Sequence, residues 1–175
     1  MSTFTAASIT RRDAYPPVRI NPEEGKGILK SVIGVQNVTV AGAGTFIKLI
    51  SVPSNARLHS LEYCSQTLAT SSLDISTFYP TLLPGGAASS VAKTSEGAIF
   101  TSSFFVNDIT GVDGGTGWTN GLGAATTPAV ANLDNPLWQM LALTEDPSVD
   151  IDIGFSVRTA TTEAGYVGLR ASYVD

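Results

Sequence analysis

The stretch Val149-Asp150-Ile151-Asp152-Ile153-Gly154-Phe155-Ser156-Val157-Arg158 alternates with a period of two. Ile151, Ile153, Phe155 and Val157 fall on one side, and Asp152, Gly154, Ser156 and Arg158 on the other. Successive side chains of a strand point to opposite faces, so this pattern describes a strand with one face in a core. After the turn residues Glu163-Ala164-Gly165 the pattern returns. Val167, Leu169, Ala171 and Tyr173 alternate with Tyr166, Gly168, Arg170 and Ser172. Two such runs with a short connection predict an antiparallel hairpin.

Working outward from this pair, the same signals recur toward the N-terminus. Residues 28–40 are rich in Val and Ile, which favour a pleated, half-buried surface. Ala41-Gly42-Ala43-Gly44 reads as a turn, and residues 45–52 resume as a strand until Pro53-Ser54-Asn55 breaks it. Residues 56–64 form another strand. In 72–79, Leu73, Ile75 and Thr77 alternate with Asp74, Ser76 and Phe78, again predicting one buried face. Residues 80–96 read as a loop. Residues 98–106 predict a strand, or one helical turn and a strand. The glycine-rich run 107–128 has no clear element, and a loop of that length in a compact domain usually has a use.

One short helix is predicted. Asn135-Pro136 resembles a cap followed by a first-turn proline. Leu137, Met140 and Leu141 share a face, Trp138 reaches its edge, and Asp146-Pro147 ends it. Seven or eight strands and one helix predict a mainly β fold: an antiparallel two-sheet sandwich, with a jelly roll as the leading topology.

Residues 28–175 make this sandwich domain, and residues 1–27 read as an extended N-terminal arm. Tyr15-Pro16-Pro17 and Asn21-Pro22 push the arm's backbone toward extended geometry and remove donors that a central strand would need. Gly25 and Gly27 bracket Lys26 as a hinge. The arm also carries Phe4, Ile9, Tyr15, Val18 and Ile20, which a solvated tail has little use for. These five are the candidate partner-binding residues.

Charge narrows the partners. Charged residues make up 14% of the chain, against about 25% in ordinary proteins. A surface built from Ser, Thr, Gly and Asn desolvates at low cost, which suits a protein packed against neighbours and equally a plain sandwich. The net charge of −5 and the scattered basic residues argue against nucleic acid, which needs clustered Lys and Arg. Residues 1–30 hold five basic and three acidic residues, a net +2, whereas residues 31–175 hold five and twelve, a net −7. A basic arm on an acidic body can pair with a neighbouring copy, or be a solvated tail. No apolar run approaches the ~20 residues of a membrane helix, and the N-terminus shows no charged-then-apolar signal pattern. Both fit synthesis in a cytoplasm.

Catalytic chemistry finds no purchase. His59 is the only histidine and Cys64 the only cysteine. A zinc site needs more ligands, and a lone Cys64 excludes an intrachain disulfide. Five residues apart in one predicted strand, His59 and Cys64 point to opposite faces, so they do not form a nucleophile pair. Asp146, Asp150 and Asp152 cluster, and Asp150 and Asp152 share an outward face. They are a minor candidate for calcium, against the plainer reading of an outward face that discourages wrong edge pairing. The glycines from Gly111 to Gly123 lack the Gly-Lys-Ser/Thr ending of a phosphate loop. Trp118 among them is either an exposed anchor for a partner or sugar, or a buried side chain that pins its loop. No cofactor is predicted and no enzyme is read.

Two segments carry a family resemblance. Val52-Pro53-Ser54-Asn55-Ala56-Arg57-Leu58 precedes Leu73-Asp74-Ile75-Ser76. Asn135-Pro136-Leu137-Trp138-Gln139-Met140-Leu141-Ala142-Leu143 precedes Asp150-Ile151-Asp152-Ile153-Gly154-Phe155 and Ala164-Gly165-Tyr166-Val167-Gly168-Leu169-Arg170. This resembles, over about residues 45–175, the head decoration or cement proteins of tailed bacteriophages. In that group a proline–small–asparagine/glycine–alanine–arginine step enters a strand, and a short Trp-bearing helix precedes the last hairpin. Ser76 stands where the group usually has glycine. The resemblance implies a jelly-roll-like sandwich on the capsid exterior. It would assemble as dimers or trimers and bridge neighbouring major capsid protein subunits with its arm. The alternative is a receptor- or glycan-binding sandwich of a tail or head fibre, using loop aromatics such as Trp118 and Tyr79.

Overall fold

The computed structural model describes residues 28–39, 41–66, 72–78, 99–110, 117–122 and 134–175, with the side chains of 104–109 within the fourth of these segments. The arm residues Phe4, Ile9, Tyr15, Val18 and Ile20, Tyr79 with the 80–96 loop, and Gly111 to Gly115 lie outside the described residues. Eight strands and one helical turn are present among them: β1 (Lys30–Val38), β2 (Phe46–Pro53), β3 (Arg57–Gln66), β4 (Ser72–Phe78), β5 (Ile99–Thr110), β6 (Thr119–Asn120), α1 (Leu137–Met140), β7 (Asp150–Thr159) and β8 (Gly165–Val174). They form two four-stranded antiparallel sheets. The first has the order β1-β8-β3-β6 and the second β2-β7-β4-β5. Interleaving the first, last, third and sixth strands against the second, seventh, fourth and fifth is the strand order of an eight-stranded jelly roll.

The alternation in 151–157 and 167–173 holds. Ile151, Ile153, Phe155 and Val157 are buried from the second sheet, and Val167, Leu169 and Ala171 from the first. The expected hairpin does not form. β7 pairs with β2 and β4, and β8 with β1 and β3. The two apolar rows instead face each other across the sandwich, because residues 160–164 carry the chain from one sheet to the other. Thr161 anchors that step. Its buried hydroxyl accepts from Ala41 N at 2.7 Å, and its own N–H donates to Ala41 O at 2.9 Å. Alternation fixes which face a side chain takes, not which strand lies beside it.

Three further expectations change. β4 is buried on both faces, not one. Its outward polar groups are paired across strands: Ser76 Oγ lies 2.8 Å from Ser156 Oγ, and the Asp74 carboxylate accepts from Asp108 N at 2.8 Å. β5 runs on to Thr110, and Thr119–Asn120 add a two-residue strand inside the glycine-rich run. The helix ends at Met140 with Leu141 as its C-cap, and not at Asp146-Pro147; Ala142, with a φ of 57°, then turns the chain. Leu143 N then donates to Trp138 O at 3.0 Å and Ala142 N to Gln139 O at 2.9 Å, the bonding of a Schellman stop.

The helix start explains why the two sequence segments of the resemblance belong together. Pro136 itself takes the cap position, and no side chain caps the turn. The orphan donors of the first turn find the β2–β3 turn instead: Leu137 N donates to Ala56 O at 2.8 Å and Trp138 N to Ser54 O at 2.9 Å. Ser54 Oγ donates to Asp146 Oδ1 at 2.5 Å, and Ser54 N to Val149 O at 2.9 Å. One end of the sandwich is thereby closed by Leu137, Met140 and Leu141, all buried in the core cluster.

The β2 bulge lies close to strands of both sheets. The register shifts between Lys48 and Ile50. A Cβ added at Gly34 of β1 would run into the Leu49 carbonyl, and one at Gly154 of β7 into the Ile47 carbonyl. Only glycine admits backbone this close.

Candidate interaction surface

The outward row of each strand in the first sheet can be read across the sheet from the register. Ile33 lies beside Arg170, which lies beside Glu62, which lies beside Asn120. The neighbouring row runs Val35, Gly168, Cys64, and the next begins with Asn37, Tyr166 and Gln66. Trp118, directly before β6, covers the middle of this face. Its ring sits over Gly168, where an added Cβ would meet the Trp118 Cη2 atom at 3.3 Å and Cys64 Sγ at 2.9 Å. The Arg170 guanidinium lies 4.7 Å from the ring centroid and is also ion-paired with Glu62. Trp118 therefore pins its segment to the sheet. The ring is half-buried, held by the protein's own residues on one side and open on the rest.

Burial pushes the Cys64 thiol above its ordinary range, opposed by the nearby Arg170 charge. A raised thiol is a poorer nucleophile at a given pH, since less thiolate is present. His59 is exposed, at a bulge between Leu58 and Ser60. That bulge breaks the parity from which opposite faces were expected. The separation still holds, since five residues of strand span roughly 16 Å, beyond hydrogen-bond reach.

The aspartates do not converge on a cation. Asp146 accepts from Ser54 and from Ser148 N at 2.9 Å. Asp152 accepts from Ser51 at 2.9 Å and pairs with Lys48 at 3.3 Å. Among the described residues no group of three or more His, Cys, Asp or Glu is placed to hold a metal ion. A cleft of about 450 Å³ opens where β1 passes to β2, lined in part by Asn37, Thr39, Thr45, Phe46 and Lys48. Lys48 is the one ionisable side chain among the described residues that line it.

Large apolar side chains are exposed in one region. Ile28, Leu29, Ile33, Val35, Phe46 and Tyr166 are the large exposed hydrophobics among the described residues. All belong to β1, its approach, the start of β2, or the β8 residue beside Asn37. Ile33 and Val35 are 62% and 58% exposed although they sit within a regular strand. A contiguous apolar area on one side of a domain marks a contact surface. The β-branched residues at 28–40 predict a strand, and the sheet order places that strand at an edge.

The geometry defines the class first: an eight-stranded jelly-roll sandwich with an apolar edge and, among the described residues, no clustered catalytic groups. No protein-family description matches the sequence, and no curated protein matches it. Solved structures do. A chain of the capsid of Ralstonia phage GP4 superposes with a TM-score of 0.54 at 15% identity, over 85% of this chain and 84% of that one. A chain of the cyanophage Pam1 capsid asymmetric unit gives a TM-score of 0.48 at 15% identity, over 85% of each chain. At this identity the likeness to the GP4 capsid chain is one of fold.

Proposed function

We propose that the chain is a structural protein of a tailed-phage virion that binds the outer capsid surface. There it stabilises the shell by bridging neighbouring major capsid protein subunits. The observation that carries this reading is the jelly-roll sandwich shared along most of its length with a chain of a phage capsid. The apolar edge and the low charge fit the same role, because both favour packing against protein. The mechanism is passive. Each copy contributes modest contacts, and a shell subunit held by several copies is released only when several contacts break together.

In this reading the arm residues Phe4, Ile9, Tyr15, Val18 and Ile20 grip the shell. Full-length protein and a form lacking residues 1–27 are compared for co-sedimentation with undecorated shells. The shortened form keeps the β signature in circular dichroism and loses shell binding. Equal binding by both forms contradicts the assignment of the arm, and failure of the full-length chain to bind contradicts the capsid role.

A further inference from the structure

The free edges of the two sheets differ in one respect that physical chemistry makes informative. An exposed strand edge presents unpaired N–H and C=O groups, and proteins blunt it with short strands, bulges, lysine or proline. Among the described residues three of the four edges carry such devices. β6 is two residues long. β5 pairs with β4 through three register shifts. β2 holds a bulge, Lys48 and Pro53. β1 has none of these from Ser31 to Val38. It pairs with β8 over nine residues without a register shift, and Ser-Val-Ile-Gly-Val-Gln-Asn-Val contains no charge and no proline. Its outward side chains include the exposed Ile33 and Val35.

We infer that β1 is a pairing edge for a second copy of this chain, joined antiparallel about a two-fold axis. The two first sheets would then form one continuous eight-stranded sheet. The occupant is argued from self-complementarity. With no charge between Ser31 and Val38, an antiparallel copy meets no like charge. In the register that puts Gly34 on the axis, Ile33 lies opposite Val35 of the second copy, so the exposed apolar pairs cover each other. Leu29 then lies opposite Thr39 of the second copy, at the rim of the cleft that holds Phe46. One operation thus covers Ile33 and Val35 and brings Leu29 to the cleft of Phe46.

This inference deepens the assembly reading by naming one partner, and its test is independent of capsids. Full-length protein is examined by sedimentation equilibrium across the micromolar range. The wild type is dimeric, and Ile33→Lys with Val35→Lys is monomeric with unchanged circular dichroism. Should the lysines disturb folding, Ile33→Thr with Val35→Thr keeps β-branched side chains and weakens the dimer at least tenfold. A monomeric wild type, or a dimer that folded forms of both variants leave intact, overturns the inference. Such a result leaves the virion role standing, whereas absence from virions overturns that role and leaves the dimer.

Discussion

Replacing Gly168 with alanine places a methyl group in the space that Trp118 fills. The added carbon would lie 2.9 Å from Cys64 Sγ, 3.3 Å from Trp118 Cη2 and 3.4 Å from Val35 Cγ2. The first two are tighter than ordinary carbon contacts, so the ring or the thiol must move. Over-filling a packed site costs about 1–3 kcal/mol. Lifting the indole also weakens its contact with the Arg170 guanidinium, worth about 0.5–1 kcal/mol at a partly exposed site. Gly168→Ala should therefore destabilise the domain by about 2 kcal/mol, lowering the urea midpoint without changing the slope. With Trp138 replaced by Phe, Trp118 is the remaining tryptophan, and its emission shifts to the red as the ring gains water. A double-mutant cycle isolates the cause. In a Trp118→Ala background the same substitution should cost about 1 kcal/mol less, since only Cys64 still resists. A neutral Gly168→Ala, or an equal cost in both backgrounds, would refute the placement of Trp118 on this face.

Further outcomes follow from the same geometry. Gly34→Ala and Gly154→Ala meet backbone carbonyls of β2 rather than movable side chains, and each should cost about 3 kcal/mol or more, read from the thermal midpoint. Thr77 Oγ1 is buried without a hydrogen-bond partner, so Thr77→Val should stabilise the protein by roughly 1 kcal/mol in urea; a loss would mean the hydroxyl is satisfied. The Cys64 thiol, raised chiefly by burial, should alkylate more slowly at mildly alkaline pH than a free cysteine, because less thiolate is present. Trp118→Ala should speed the reaction by admitting water, and alkylation at the free-thiol rate in the wild type would contradict the burial argument.

What the sequence reveals and what it hides divide along physical lines. The inward rows Ile151 to Val157 and Val167 to Ala171 were legible because burial imprints a period of two on each strand alone. Their partners were not, because pairing between β7 and β2, or β8 and β1, links residues 97 to 143 positions apart. The two-residue β6 leaves too short a pattern to detect, and its visible trace is Trp118 among glycines. The helix stop at Ala142, the kink at Asp108 within β5 and the bend at Ser148 use positive φ without glycine, so the usual punctuation is missing. The exposed edge was hidden for a related reason. Val and Ile in residues 28–40 announce a strand, and only the sheet order places that strand at a boundary. By contrast, the Pro53–Leu58 and Asn135–Leu143 segments stood out as motifs, and their mutual hydrogen bonds at one end of the sandwich explain why they occur together.

A capsid-decorating role, as proposed, requires many copies of this jelly roll on each phage shell. Quantitative mass spectrometry of purified virions, with the peptides of this chain measured against those of the major capsid protein, tests it most directly. A fixed ratio of the order of the shell's own subunit count is expected, lost together with shell stability when the chain is omitted. A few copies per particle, as for a tail or fibre component, or none, would contradict it.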